Sequence, residues 1–137
     1  MERLRKSKTL GIIGNLIIII ALFCTWFYAN SDSTGLKQST QFIHGTDGKV
    51  ALVLSILSII IIYSKKLNIK LSLISSIFQL VMIINVVYDV THVDLQQTDI
   101  VWHFGIGFYL MCIGVAICCI FPFIYKKDTE EELYKGD

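Results

Sequence analysis

The chain has 137 residues, of which 54% are hydrophobic and 17% charged, with a mean hydropathy of +0.64 and a formal net charge of +1. That is too apolar for an ordinary soluble domain of this length. The charges are grouped and leave four uncharged runs, Thr9 to Ser31, Val50 to Ser64, Leu71 to Tyr88 and Ile100 to Tyr125, of 23, 15, 18 and 26 residues.

A helix crosses a bilayer core with roughly 17 to 25 residues. Three runs meet this directly, and the second does so once Lys49, Lys65 and Lys66 carry their ammonium groups to the interfaces. The sequence therefore predicts a single all-α domain, an antiparallel four-helix integral membrane bundle with spans at about 9–29, 49–65, 70–89 and 100–125. A soluble bundle competes with this, but Ile17 to Ile20 and Ile59 to Ile62 are apolar right round a helix, which suits lipid.

The first span follows Arg3, Arg5, Lys6 and Lys8 and has the outline of a signal peptide, with Ala29-Asn30-Ser31 as a tolerable cleavage site. Its length favours an uncleaved span. Residues 30–48 are polar and rich in turn formers, and read as an outer loop without a core of its own. Gly45-Thr46-Asp47-Gly48 then opens the second span, with Thr46 or Asp47 expected to cap the helix. The short link from Lys65 to Lys70 forces the second and third spans into a hairpin. Pro122 is expected to kink the exit of the fourth span, and the charged tail 126–137 reads as a frayed helix end in water.

Ten of the twelve basic residues flank the first span, the middle link and the tail; Lys37 and Lys49 alone lie on the other side. The excess places both termini in the cytoplasm and the 30–48 and 89–99 segments outside, in a plasma membrane. Helices in lipid associate through small residues and polar contacts. Gly107, Gly114 and Cys118 mark one packing face of the fourth span, Gly11, Gly14 and Ala21 one of the first, and Ser72, Ser75 and Ser76 one of the third.

Polar groups within spans carry most of the candidate chemistry. Helical spacing puts Asn85, Asp89 and His92 on one face, and Asp99, His103 and Gly107 on another. The favoured reading is a structural polar clasp of Asn85, Asp89 and His103. Competing readings are a metal site drawn from His44, Asp47, Asp89, His92 and His103, for which the spacing matches no zinc signature, and a titratable switch. Asn15 and Gln79 either line a pathway or, more commonly, bond a neighbour. Cys24, Cys112, Cys118 and Cys119 all fall within spans, which argues against a disulfide framework and leaves packing ahead of S-acylation. The aromatic residues near both span ends read as belt anchors. Phosphate-binding glycine loops and Ser-His-Asp groupings are absent from the sequence.

Gly45-Thr-Asp-Gly-Lys-Val-Ala-Leu-Val-Leu and Gly105-Ile-Gly107-Phe-Tyr-Leu-Met-Cys-Ile-Gly114 give the chain a further character. In these it resembles small, largely uncharacterised four-span membrane proteins of Gram-positive bacteria, with an Asp-Gly turn before the second helix and a Gly-x-Gly face in the fourth. The resemblance implies a fold and a bacterial plasma membrane, and no activity. No catalytic residue, cofactor or nucleic-acid partner is expected. The expected role is binding, as an accessory or regulatory subunit, or as a self-immunity protein against a membrane-active peptide or toxin, with the bilayer and a membrane-protein or peptide partner. The alternative is a homo-oligomeric channel, small transporter or holin-like pore.

Overall fold

The computed structural model describes residues 2–31, 37–64, 68–94 and 100–136. Helix α1 runs over Glu2–Phe23, strands β1 and β2 over Thr25–Ser31 and Lys37–Gln41, and a 3-10 turn over Phe42–His44. Helices α2 (Thr46–Tyr63) and α3 (Ile69–Asp94) follow, then strand β3 (Ile100–Phe104) and helix α4 (Ile106–Lys135). The four helices form the all-α bundle expected, and each is long and apolar enough to cross a membrane. Ile20, Ile60, Ile74 and Phe123 are each more than half exposed on its outer surface, as lipid-facing side chains would be. The chain is a multi-pass membrane protein.

Neighbouring helices run antiparallel. Gly11 packs against Phe121, Gly14 against Cys118, and Gly114 against Ile18, which fixes α1 and α4 in opposite directions. Ser58 meets Ser75 and Ser55 meets Gln79, which does the same for α2 and α3. The core of Ile18, Leu22, Ala51, Met82, Met111 and Val115 lies where all four helices converge.

Several boundaries differ from the sequence expectation. The first span ends at Phe23, not near 29, because Thr25-Trp26-Phe27-Tyr28 is a β-branched and aromatic run that extends into β1. Residues 100–104, read as the start of the fourth span, are β3 for the same reason, and Gly105 separates them from α4. The expected outer loop 30–48 contains the end of β1, β2 and the first turn of α2. The three strands pair antiparallel in the order β2-β1-β3. The register between β1 and β2 slips between Thr25 and Phe27, and this bulge turns Trp26 into the bundle.

Neither Thr46 nor Asp47 caps α2. Gly45 is the N-cap residue and makes no side-chain bond. The second glycine of the Gly-Thr-Asp-Gly turn has a different role, since a Cβ at Gly48 would stand 2.0 Å from the Phe42 carbonyl oxygen. The tail is helical as far as Lys135, and Arg3 of α1 meets Glu131 at 2.8 Å.

Pro122 is inside α4 and buried. It has no N–H to give the carbonyl four residues earlier, that of Cys118. The Ser76 hydroxyl of α3 donates to this carbonyl at 3.2 Å and shares its proton with the Ser72 carbonyl at 3.0 Å. A proline defect within the membrane is thus repaired by the neighbouring helix.

Candidate functional site at the sheet end of the bundle

Trp26 organises this end. It is fully buried, its ring stacks on Phe42 at 4.0 Å and meets Phe108 edge-on at 5.9 Å. Its indole N–H donates to the Ala21 carbonyl at 2.8 Å, in the last turn of α1, where the same oxygen also accepts the Cys24 N–H at 3.2 Å. Its own carbonyl accepts the Gly105 N–H at 2.6 Å. One side chain therefore ties the end of α1, the 3-10 turn and the entry of α4 together. Phe27, Phe104 and Phe108 extend the aromatic layer beneath β1 and β3.

The Gly-x-Gly of α4 fits under this cap. A Cβ at Gly107 would lie 2.6 Å from Trp26 and 2.8 Å from the Ala21 carbonyl oxygen. Gly107, Gly114 and Cys118 all face α1, so the predicted packing face is the one the helix uses.

The predicted polar clasp is not formed. Asn85, Asp89 and His103 are exposed, and no hydrogen bond or ion pair among the described residues links any two of them. The geometry explains this. Ser76 is level with Cys118, so at about 1.5 Å per residue Tyr88 is level with Ile106. Asp89 and His92 consequently stand beside the sheet, above the apolar bundle. His103 belongs to a strand, opposite Tyr28 in the register, and the helical stripe that would have aimed it at Asp89 does not exist.

His92 instead lies on its own helix, its ring 3.8 Å from that of Tyr88 and its Nδ1 3.1 Å from the Tyr88 carbonyl. His44 and Asp47 are exposed at the 3-10 turn and the start of α2. Among the described residues, no three His, Cys, Asp or Glu side chains stand close enough to share a metal ion. Asp99, Lys65 and Lys66 lie outside the described residues.

The two deep polar side chains are both engaged within the bundle. Asn15 is buried and its amide donates to the Gly11 carbonyl at 2.9 Å. Gln79 is buried and donates to the Ser55 hydroxyl at 2.9 Å. What the sheet end offers chemically is an exposed set of imidazole, carboxylate and amide groups on an aromatic base, with β2 and β3 as the outer strands of the sheet among the described residues. Sequence reading missed that base. Thr25 to Tyr28 and Ile100 to Phe104 carried its signal, as short β-branched and aromatic runs beside a helix breaker. The chain matches no protein-family model and no curated protein.

Proposed function

We propose that this protein acts by binding, as a non-enzymatic membrane subunit that presents its sheet end to a partner outside the cell. An accessory or regulatory subunit fits this description, as does an immunity protein that intercepts a membrane-active peptide or toxin in a bacterial plasma membrane. The observation that carries the reading is the contrast between the two polar populations. The deep groups, Asn15 and Gln79, are buried within one chain and bonded to it. A pore made by several copies would need such groups in a shared lumen. The groups at the sheet end, Asn85, Asp89 and His103, are exposed and unbonded among the described residues. Exposed polar side chains free of internal partners, on a packed aromatic base, suit recognition. The excess of basic residues at the tail end supports its placement in the cytoplasm.

The test is extraction in mild detergent followed by native mass spectrometry, with a photo-crosslinker placed at position 103 and, as a control, at position 74 in mid-membrane. The expected result is a complex with a second polypeptide that crosslinks from position 103 and not from 74. A closed homo-oligomer that conducts ions in liposomes would overturn the reading in favour of a pore.

A further inference from the structure

At the tail end, four cations begin α1: Arg3, Arg5, Lys6 and Lys8. Two are already neutralised, Arg3 by Glu131 at 2.8 Å and Lys6 by Glu2 at 2.9 Å. Arg5 and Lys8 have no carboxylate partner among the described residues. These two line one open pocket of about 620 Å³, together with Leu4, Glu2 and Tyr125. The acid in that pocket, Glu2, is the one occupied by Lys6. Lys8 spends one of its three N–H groups on the Ser64 carbonyl at 3.1 Å, at the end of α2, and holds its ammonium 6.0 Å from the Tyr125 ring.

The position of the pocket restricts its ligand. Thr9 and Tyr125 are the limits of the uncharged runs of α1 and α4, so the pocket lies where apolar surface gives way to water. From Arg5 an exposed strip runs along α1 through Thr9 to Ile13, Leu16 and Ile20 at helical spacing. A ligand that satisfied both regions would have an anionic head and an apolar tail. Guanidinium pairs with phosphate oxygens through two parallel N–H bonds, and ammonium adds a point charge.

We infer that this pocket holds the phosphate of one anionic phospholipid, with Arg5 and Lys8 as its cationic partners and an acyl chain along Ile13, Leu16 and Ile20. The site is distinct from the sheet end and rests only on the chain being a membrane protein. It distinguishes a bound lipid from the diffuse attraction of a basic tail, because Lys126 and Lys127 are also cationic and exposed but do not line the pocket.

The experiment is native mass spectrometry of the full chain in detergent, titrated with dioleoyl phosphatidylglycerol, with dioleoyl phosphatidylcholine and, in a separate arm, with inorganic phosphate. One phosphatidylglycerol per chain should be retained in preference to phosphatidylcholine. Arg5→Gln should weaken it about fivefold, the value for loss of one cation near a lipid surface. Adding Lys8→Gln should weaken it further, while the Lys126→Gln, Lys127→Gln pair should leave retention of the one bound lipid in detergent nearly unchanged, since neither lysine lines the pocket and Lys126 is paired with Glu130. Should the double variant lose its fold through the Ser64 contact, Arg5→Gln decides alone, since its side chain makes no internal bond among the described residues. Equal losses in the Arg5→Gln and Lys126→Gln, Lys127→Gln variants would overturn the inference. So would inorganic phosphate that displaces the lipid at equal concentration, which would assign the pocket to free phosphate.

Discussion

Between α1 and α4 the contact is made by backbone, and between α2 and α3 it is made by hydroxyls. A Cβ placed on Gly114 would lie 3.0 Å from the Gly14 carbonyl oxygen and 2.7 Å from Ile18; one placed on Gly14 would lie 2.9 Å from the Cys118 sulfur. The arrangement is reciprocal, each glycine meeting the residue four places beyond its counterpart. Across α2 and α3 the links are Ser58 to Ser75 and Gln79 to Ser55, both at 2.9 Å. Alongside the serine pair, which lines it, an apolar groove of about 410 Å³ stays open between Leu54, Leu57, Ile74 and Phe78. In lipid, apolar burial gives no net drive between helices, so close backbone approach and hydrogen bonds must supply the affinity. The first pair uses shape and the second uses polarity, which makes their sensitivities to substitution opposite in kind.

The sharpest break of this contrast is a bulky residue at the glycine contact. Gly114→Leu should destabilise the bundle by about 3 kcal/mol, the upper end for an overpacked core, because the space is bounded by backbone on one side. Reversible unfolding in mixed detergent micelles measures it. Ser75→Leu, at the half-buried hydroxyl contact, should cost less than half of that, and equal losses would remove the distinction between the pairs.

Next in size is the repair of the proline defect. Ser76→Ala leaves the Cys118 carbonyl without a donor in the membrane, at a cost of about 1–2 kcal/mol. In a Pro122→Ala background the helix regains its own N–H, and the same serine substitution should cost less than about 0.5 kcal/mol. A double-mutant cycle with no coupling would show that Ser76 serves only its own helix, through the Ser72 carbonyl.

How much of this was legible in the sequence depends on which force placed the residue. Gly107, Gly114 and Cys118 were readable because seven- and four-residue spacing survives any detail of the loops. Asn15 and Gln79 were readable as bonded, since a lone amide in lipid has few other outcomes. The clasp was not, for a reason internal to residues 100–104. Hydropathy assigns Ile100-Val101-Trp102-His103-Phe104 equally to a helix or a strand, and the strand changes the period from 3.6 to 2, so His103 leaves the face that Asp89 was expected to meet. From sequence Pro122 reads only as a kink; the donor that serves the Cys118 carbonyl comes from a residue 42 positions earlier and has no local signal.

A smaller effect separates donor from acceptor in the polar pair. Ser55→Ala strands the Gln79 amide in the core and should cost about 1 kcal/mol, whereas Gln79→Leu should cost about half as much, because the Ser55 hydroxyl can turn to a carbonyl of its own helix. The reverse order would mean that Gln79 packs rather than bonds.

The smallest expected effect is the one that tests the solvent of the α2 and α3 groove. Val115 and Leu57 are both apolar, but Val115 is buried against the α1 contact and Leu57 is half exposed at the groove. Val115→Ala should leave a cavity that lipid cannot reach and cost about 1–2 kcal/mol. Leu57→Ala removes more atoms yet should change stability by less than about 0.5 kcal/mol in a bilayer, because an acyl chain fills the space and dispersion contacts are exchanged one for one. Equilibrium unfolding of the two variants in the same lipid nanodiscs makes the comparison direct. A loss at Leu57 as large as at Val115 would mean that the groove is closed by protein in the folded assembly. The α2 and α3 pair would then gain from a partner the close packing that α1 and α4 supply within one chain.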